Sequence, residues 1–278
     1  MRFRSRLMLP AIAVVAAMAL AGCSSSDDNA KSDGDSGTKN EAAISLDGAT
    51  LVKDGQLTVC SDMPYKPFEF EEDGKTQGFD FEVVTAMGEQ LGLTAEFVTT
   101  PFDSIIPALA AGNCDMIASA MTITDERAEK VLFTEPYFDA DQSLLVLKEN
   151  ADKYKTLADL KGQTIGVQVE TTGASYAEEH KPEGATIKSF GTGDEIFPAL
   201  IADEVQAALQ DLPVNGYRAS TAPDQFVMTE TFPTGEQYGF AVAKDNEKLH
   251  TALDKALAAV KDDGKLDSIY TTWFGEKK

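Results

Sequence analysis

Between residues 57 and 118, three short apolar runs alternate with two stretches of helical periodicity, and the same order returns between residues 164 and 210. In the first half, runs at 57–60, 95–98 and 116–118 read as strands. Residues 81–91 place Val83, Val84, Met87 and Leu91 on one helical face, and 102–111 do the same with Ile105, Ile106 and Leu109. In the second half, strands are expected at 164–167, 187–190 and 207–210. Helices begin at 174–179 and 196–202, the latter carrying Phe197 and Leu200. Two successive β-α-β-α-β units predict an α/β fold with two lobes, each a mainly parallel sheet flanked by helices. Beyond them come a strand at 238–243, an amphipathic helix at 246–262 with Leu249, Leu253, Leu257 and Val260, and a last helix at 266–274. These pieces are apolar on one side and need a surface already built to pack on.

The N-terminal segment follows a different logic. Arg2, Arg4 and Arg6 precede an uncharged apolar run at 7–21, which ends in Leu20, Ala21, Gly22 and Cys23. A basic start, an apolar run of this length and small residues before the cut describe a secretory signal over residues 1–22. The run is too short for a comfortable membrane span, which needs about 20 apolar residues. Its ending resembles a bacterial lipobox, which implies lipidation of Cys23, palmitate included, as the first residue of the mature protein. Two acyl chains hold a protein at a membrane far better than one. Ser, Asp, Gly, Lys and Asn dominate the next residues, so 23–45 is expected to be a disordered tether with little apolar surface to bury.

The chain carries 46 acidic against 24 basic residues, a net charge of -22. So acidic a surface disfavours nucleic-acid binding. Apart from Cys23, the cysteines are Cys60 and Cys114. An oxidising compartment favours their pairing. The strand pattern argues the other way, placing Cys60 late in one strand and Cys114 ahead of another, and the pairing stays open at this level. The histidines, His180 and His250, are far apart, and no Cys/His group has metal-ligand spacing.

In open α/β sheets, ligands bind beyond the carboxyl ends of the strands. The segments there supply Asp62 and Tyr65 after the first strand, Ser119 and Thr122 after the third, Gln168, Glu170 and Thr172 after the fourth, and Asp211 at the end of the sixth. Thr124 is a candidate N-cap, which puts Arg127 in the first turn of a helix. Arginine there shares an anion readily with free backbone N–H groups, although a surface arginine paired with a nearby acid fits the same local sequence. Thr171 and Thr172 are either a plain helix cap or a second N–H cradle for that anion. Asp211 is either an N-cap or an acceptor for an ammonium group. Tyr65 and Phe102 are either core aromatics or the walls around an aliphatic stem.

Four ordered motifs then converge. They are Pro64-Tyr65-Lys66-Pro67-Phe68-Glu69-Phe70 with Gly78-Phe79-Asp80, residues 102–109, Met121-Thr122-Ile123-Thr124-Asp125-Glu126-Arg127, and Asp263-Gly264-Lys265-Leu266 through Trp273-Phe274-Gly275. Over about residues 50–275 the chain resembles solute-binding family 3, the polar amino-acid binding proteins of ABC importers. The resemblance implies a two-lobed type II periplasmic-binding-protein clamshell with two crossover strands, near 139–142 and 231–237. Lobe one would be discontinuous, 46–140 with 237–278, and lobe two would be 141–236.

By motif position, Arg127, Thr122, Ser119 and Thr172 correspond to the residues around the ligand α-carboxylate, and Asp211 to the acid for the α-amino group. Asp62, Tyr65, Phe102, Glu170 and Gln168 form the expected side-chain pocket. Glu170 stands where the family commonly has glycine. The acids favour a cationic or strongly polar side chain: arginine, lysine, histidine or glutamine. The resemblance further implies a monomer that hands its ligand to a membrane permease with a cytoplasmic ATPase, at the extracellular face of the membrane, with no cofactor and no catalytic residue. Dehydratases share the fold, and the lipobox and tether argue against that role. A ligand-presenting sensor protein is a further alternative.

Overall fold

The computed structural model describes residues 44–276. The signal segment, Cys23 and all but the last two tether residues lie outside the described residues. Among the described residues, no helix is long and apolar enough to cross a membrane.

Strand β1 (Gln56–Ser61) is buried along nearly its whole length, as a strand covered on both faces must be. A small hairpin, β2 (Phe70–Glu72) and β3 (Lys75–Gln77), leads into α1 (Phe79–Leu91). Gly78 caps that helix with φ 129°, and a Cβ there would stand 2.1 Å from the Phe68 carbonyl oxygen, so only glycine fits the corner. After α1 come β4 (Thr94–Thr99), α2 (Phe102–Ala110), β5 (Met116–Ile117), the short α3 (Asp125–Ala128) and β6 (Val131–Phe133). The long β7 (Phe138–Leu147) opens a second sheet, which continues with β8 (Thr164–Gln168), α4 (Thr172–His180), β9 (Thr186–Phe190), α5 (Ile196–Ile201), β10 (Ala207–Asp211), α6 (Leu212–Thr221) and β11 (Phe226–Tyr238). The chain ends in β12 (Ala241–Ala243), α7 (Glu247–Asp262) and α8 (Lys265–Phe274).

The first sheet has the order β4-β1-β5-β12-β6 and the second β11-β7-β10-β8-β9. Each holds a three-strand parallel core, β4-β1-β5 and β10-β8-β9, extended by two strands added through successive antiparallel ladders. Strand β12 enters the first sheet from the far end of the chain, and α7 and α8 return with it. Leu249, Leu253, Leu257 and Val260 of α7 share one core with Val83, Val84 and Met87 of α1. Phe274 of α8 closes an aromatic cluster against Phe68, Phe79 and Phe138, with ring centroids 5.0–5.6 Å apart. The C-terminal elements thus find the surface they need on the first sheet.

One expectation changes here, and one open alternative is decided. Tyr238 does not begin the last strand. It ends β11, which pairs with β7 from Phe138↔Tyr238 to Phe226↔Leu147, so the two stretches expected as crossovers, 139–142 and 231–237, lie against each other in one antiparallel ladder. And Cys60 and Cys114 are joined in a disulfide, with Cα atoms 5.7 Å apart. The strand order removes the objection to their pairing: β5 is the direct neighbour of β1, in the register Cys60↔Ile117, and the turn before β5 brings Cys114 back beside Cys60. Both sulfurs are buried among Ile105, Leu109, Ile117 and Met121.

Candidate functional site

A narrow cavity lies between the two sheets, beyond the carboxyl ends of their parallel strands, and every predicted side chain except that of Glu170 lines it. The first sheet contributes Asp62, Tyr65, Phe102, Ser119, Thr122 and Arg127. The second contributes Gln168, Thr172 and Asp211.

The loop after β5 is held from behind. Ala120 sits at φ 43°, and its N–H donates to Asp80 Oδ2 at 2.8 Å. Ser119 Oγ accepts from the Asp62 N–H at 2.9 Å and donates to Glu69 Oε1 at 2.9 Å. Glu69 and Asp80 are both fully buried. Burial pushes the Asp80 carboxyl up to about 7, and burial with the neighbouring Asp80 charge holds Glu69 well above the ordinary carboxylate range. Thr124 caps α3 as expected, its hydroxyl accepting from the Arg127 N–H at 3.2 Å.

The Arg127 guanidinium lies over the Phe102 ring, 5.2 Å from its centroid. It donates to the Thr122 carbonyl at 2.8 Å and to the Glu170 carbonyl at 2.9 Å, so it joins loops of both sheets. Burial lowers its pKa, and the charges of Asp211 and Glu236 oppose that shift. Glu170 takes φ 60°, the left-handed conformation that a glycine would adopt without cost. Its side chain is exposed and lines an outer groove with Asp103, Glu126, Lys130, Glu178 and Glu179. The expectation that it reaches the side-chain pocket is therefore corrected: the left-handed backbone turns its carbonyl toward Arg127 and leaves the carboxylate outside.

Thr171 caps α4, accepting from the Ala174 N–H at 3.1 Å, and Thr172 begins the helix. Asp211 holds the N-cap position of α6 and makes no side-chain capping bond. Its carboxylate instead accepts from Gln142 Nε2 at 2.5 Å, from the Tyr65 hydroxyl at 3.0 Å and from the Tyr238 hydroxyl. Burial raises its pKa, and the Tyr238 hydrogen bond works against that rise. At the other end of the cavity, Gln168 Nε2 donates to Asp62 Oδ2 at 2.5 Å. Burial pushes Asp62 up to about 6, with the Gln168 bond opposing.

Sequence reasoning passed over Gln142, Tyr238 and Glu236. Glu236 Oε2 accepts from the hydroxyls of Thr172 at 2.6 Å and Thr122 at 3.0 Å. Gln142 and Glu236 lie in the two stretches expected to cross between lobes, and that position was the only available signal, because a polar residue in a strand otherwise reads as solvent-facing.

Two mixed sheets, joined by paired long strands and enclosing a charged cavity at their strand ends, define a type II periplasmic-binding-protein clamshell. A sequence profile of the bacterial extracellular solute-binding proteins, family 3, matches residues 57–276, and the chain belongs to that family. It is 35% identical over 216 residues to the ABC transporter arginine-binding protein 1 of Escherichia coli (strain K12), covering 76% of this chain and 87% of that protein. A solved ancestral arginine-binding protein bound to glutamine is similar at 38% identity and a TM-score of 0.76, over 81% of this chain and 100% of that one. The ancestral amino acid-binding protein AncCDT-1, a precursor of cyclohexadienyl dehydratase, is similar at 40% identity and a TM-score of 0.75, over 79% of this chain and 96% of that one.

Proposed function

We propose that this protein captures an α-amino acid with a cationic side chain, arginine foremost, and delivers it to the permease of an ABC importer. One observation carries the reading: Arg127 from the first sheet and Asp211 from the second meet the same cavity, one cation and one anion for the two ends of a zwitterion. Arg127 and the N–H groups that open α4 at Thr172 receive the α-carboxylate. Asp211 receives the α-ammonium. Tyr65 and Phe102 flank the stem, and Asp62, held by Gln168, faces the side-chain end. The acids of the outer groove, Asp103, Glu126, Glu170, Glu178 and Glu179, add a field that draws cations inward. The arginine-binding relative supports the same choice.

Residues 46–140 with 237–278 form one lobe and 141–236 the other, and the paired stretches 139–142 and 231–237 are the hinge about which they close. Closure completes the site because each lobe holds only part of the ligand. Cys23, lipidated with palmitate among its chains, anchors a monomer at the extracellular face of the cell membrane, where the permease and its cytoplasmic ATPase take the ligand. Fatty-acid labelling that is lost in C23A tests the anchor.

Melting the body from residue 43 onward against each common amino acid tests the ligand. A ligand at 100 times its dissociation constant adds about 2.7 kcal/mol of stability. A shift with arginine, lysine or histidine supports the proposal. A shift with glutamine alone replaces it by the reading that the glutamine-bound ancestral structure favours. Chemical alteration of the ligand, followed by mass spectrometry, would instead favour the dehydratase-like reading that AncCDT-1 brings to mind.

A further inference from the structure

The path of β11 aims a carboxylate at two threonines, one from each sheet, whose hydroxyl oxygens lie 3.4 Å apart at one end of the cavity. Phe232 pairs with Gln142 and Glu236 with Ala140, so residues 233–235 stand opposite Asp141 alone. Gly235, at φ 67°, donates its N–H to Asp141 Oδ1 at 3.0 Å and pins this bulge. The bulge turns Glu236 inward. Its Oε2 takes the hydroxyl hydrogens of Thr172 and Thr122, and Gln142 Nε2 lies 3.3 Å from each of its oxygens. Both threonines line the cavity, whereas Glu236 stands behind them.

A hydroxyl has one hydrogen and two lone pairs. With that hydrogen given to Glu236, each threonine has only lone pairs left, which repel a carboxylate and accept from an ammonium; Gln142 Nε2 takes one on Thr172 at 3.3 Å and leaves the other. Asp211 completes the same end of the site. Three protein donors occupy three of its roughly four acceptor positions and leave one open. We infer that Glu236 is a positioning residue that holds the Thr122 and Thr172 hydrogens away from the cavity, so that their oxygens and Asp211 form an all-acceptor end which requires an α-ammonium on the ligand. Thr122 and Thr172 thereby serve the ammonium through their side chains, not the carboxylate as the family resemblance implied. The inference rests on the amino-acid reading above.

The test is selectivity. Titration calorimetry on the wild-type protein and on E236Q compares L-arginine with 5-guanidinopentanoate, which differs only in lacking the amino group, and L-glutamine with glutaramate in the same way. The side-chain amide that E236Q introduces donates to the threonine oxygens and frees their hydrogens for the cavity. The wild-type protein is expected to prefer the amino acid at least about 100-fold, because a site built around a ligand N–H rejects an analogue without it. In E236Q that ratio falls at least about tenfold, chiefly through weaker binding of the amino acid. Should E236Q melt far below the wild-type protein, E236A is read for the same ratio. Equal weakening of both members of a pair, with the ratio intact, makes Glu236 merely structural and overturns the inference alone. Failure of the wild-type protein to bind either amino acid overturns the proposed function first, and the two failures are distinct.

Discussion

Breaking the Cys60–Cys114 disulfide gives a prediction whose size follows from the topology. The bridge closes a loop of sequence separation 54 that contains α1, β4 and α2. In the chain-entropy account, a loop of this length removes about 14 cal/mol/K from the unfolded state, or about 4 kcal/mol at 25 °C. For a body of this size, 1 kcal/mol moves the melting temperature by about 2–4 °C, so loss of the bridge should lower it by about 8–16 °C. The side chains are buried, at 2% and 3% relative exposure, so substitution also opens space among Ile105, Leu109 and Ile117. The effect reaches the site as well. Cys60 lies two residues before Asp62, and Cys114 leads through β5 to Ser119 and Thr122. Calorimetric melts of the oxidised protein, the reduced protein and C60A/C114A, each with and without ligand, check the argument. The reduced and doubly substituted forms should fall together and bind more weakly. A change below about 2 °C in both, or two free thiols titrated in the unreduced native protein, would refute it.

Arg127→Ala and Asp211→Ala should each weaken amino-acid binding at least about tenfold, a loss above ~1.4 kcal/mol by titration calorimetry, and unchanged affinity in either would remove that residue from the site. Burial pushes the folded Asp80 carboxyl up to about 7, so it keeps a proton that the unfolded chain releases above about pH 4, and unfolding free energy should fall as pH rises from about 4 to 7, by about 1.4 kcal/mol per pH unit; the raised Glu69 acts in the same direction. Urea unfolding at pH 5 and pH 8 measures this, and D80N should flatten the slope. Glu170→Gly relieves a left-handed backbone at some cost in unfolded-state entropy, so stability should change by less than about 1 kcal/mol. Ligand affinity should hold, and a tenfold loss of it would mean that the Glu170 carboxylate reads the ligand after all.

The two β-α-β-α-β units were legible because strand and helix periodicities depend only on local spacing: Val83, Val84, Met87 and Leu91 announce their buried face wherever the helix docks. The helix start at Thr124 was legible for the same reason, since a cap is a contact between near neighbours in the chain, and it placed Arg127. The strands β6, β7 and β11 were not picked out. β6 is short and β11 is mostly half-exposed, while β7 is buried along most of its length, and the pairing of all three is set by partners up to about a hundred residues away. Asp211 could have been a cap or an acceptor on local evidence. Only the arrival of Tyr65, Gln142 and Tyr238 from three distant segments decides that its carboxylate points into the cleft.

The sequence by itself therefore determined the elements, the lobed α/β class and the chemical types gathered at the strand ends, because those follow from periodicity and from the direction in which parallel strands run. Tertiary structure alone decided which groups share a hydrogen. The adjacency of β1 and β5 brought Cys60 to Cys114. A bulge in β11 delivered Glu236 to Thr122 and Thr172. A hydrogen bond between residues 114 and 64 positions apart has no local signature, since its partners are chosen by the packing of whole sheets and not by their neighbours in the chain.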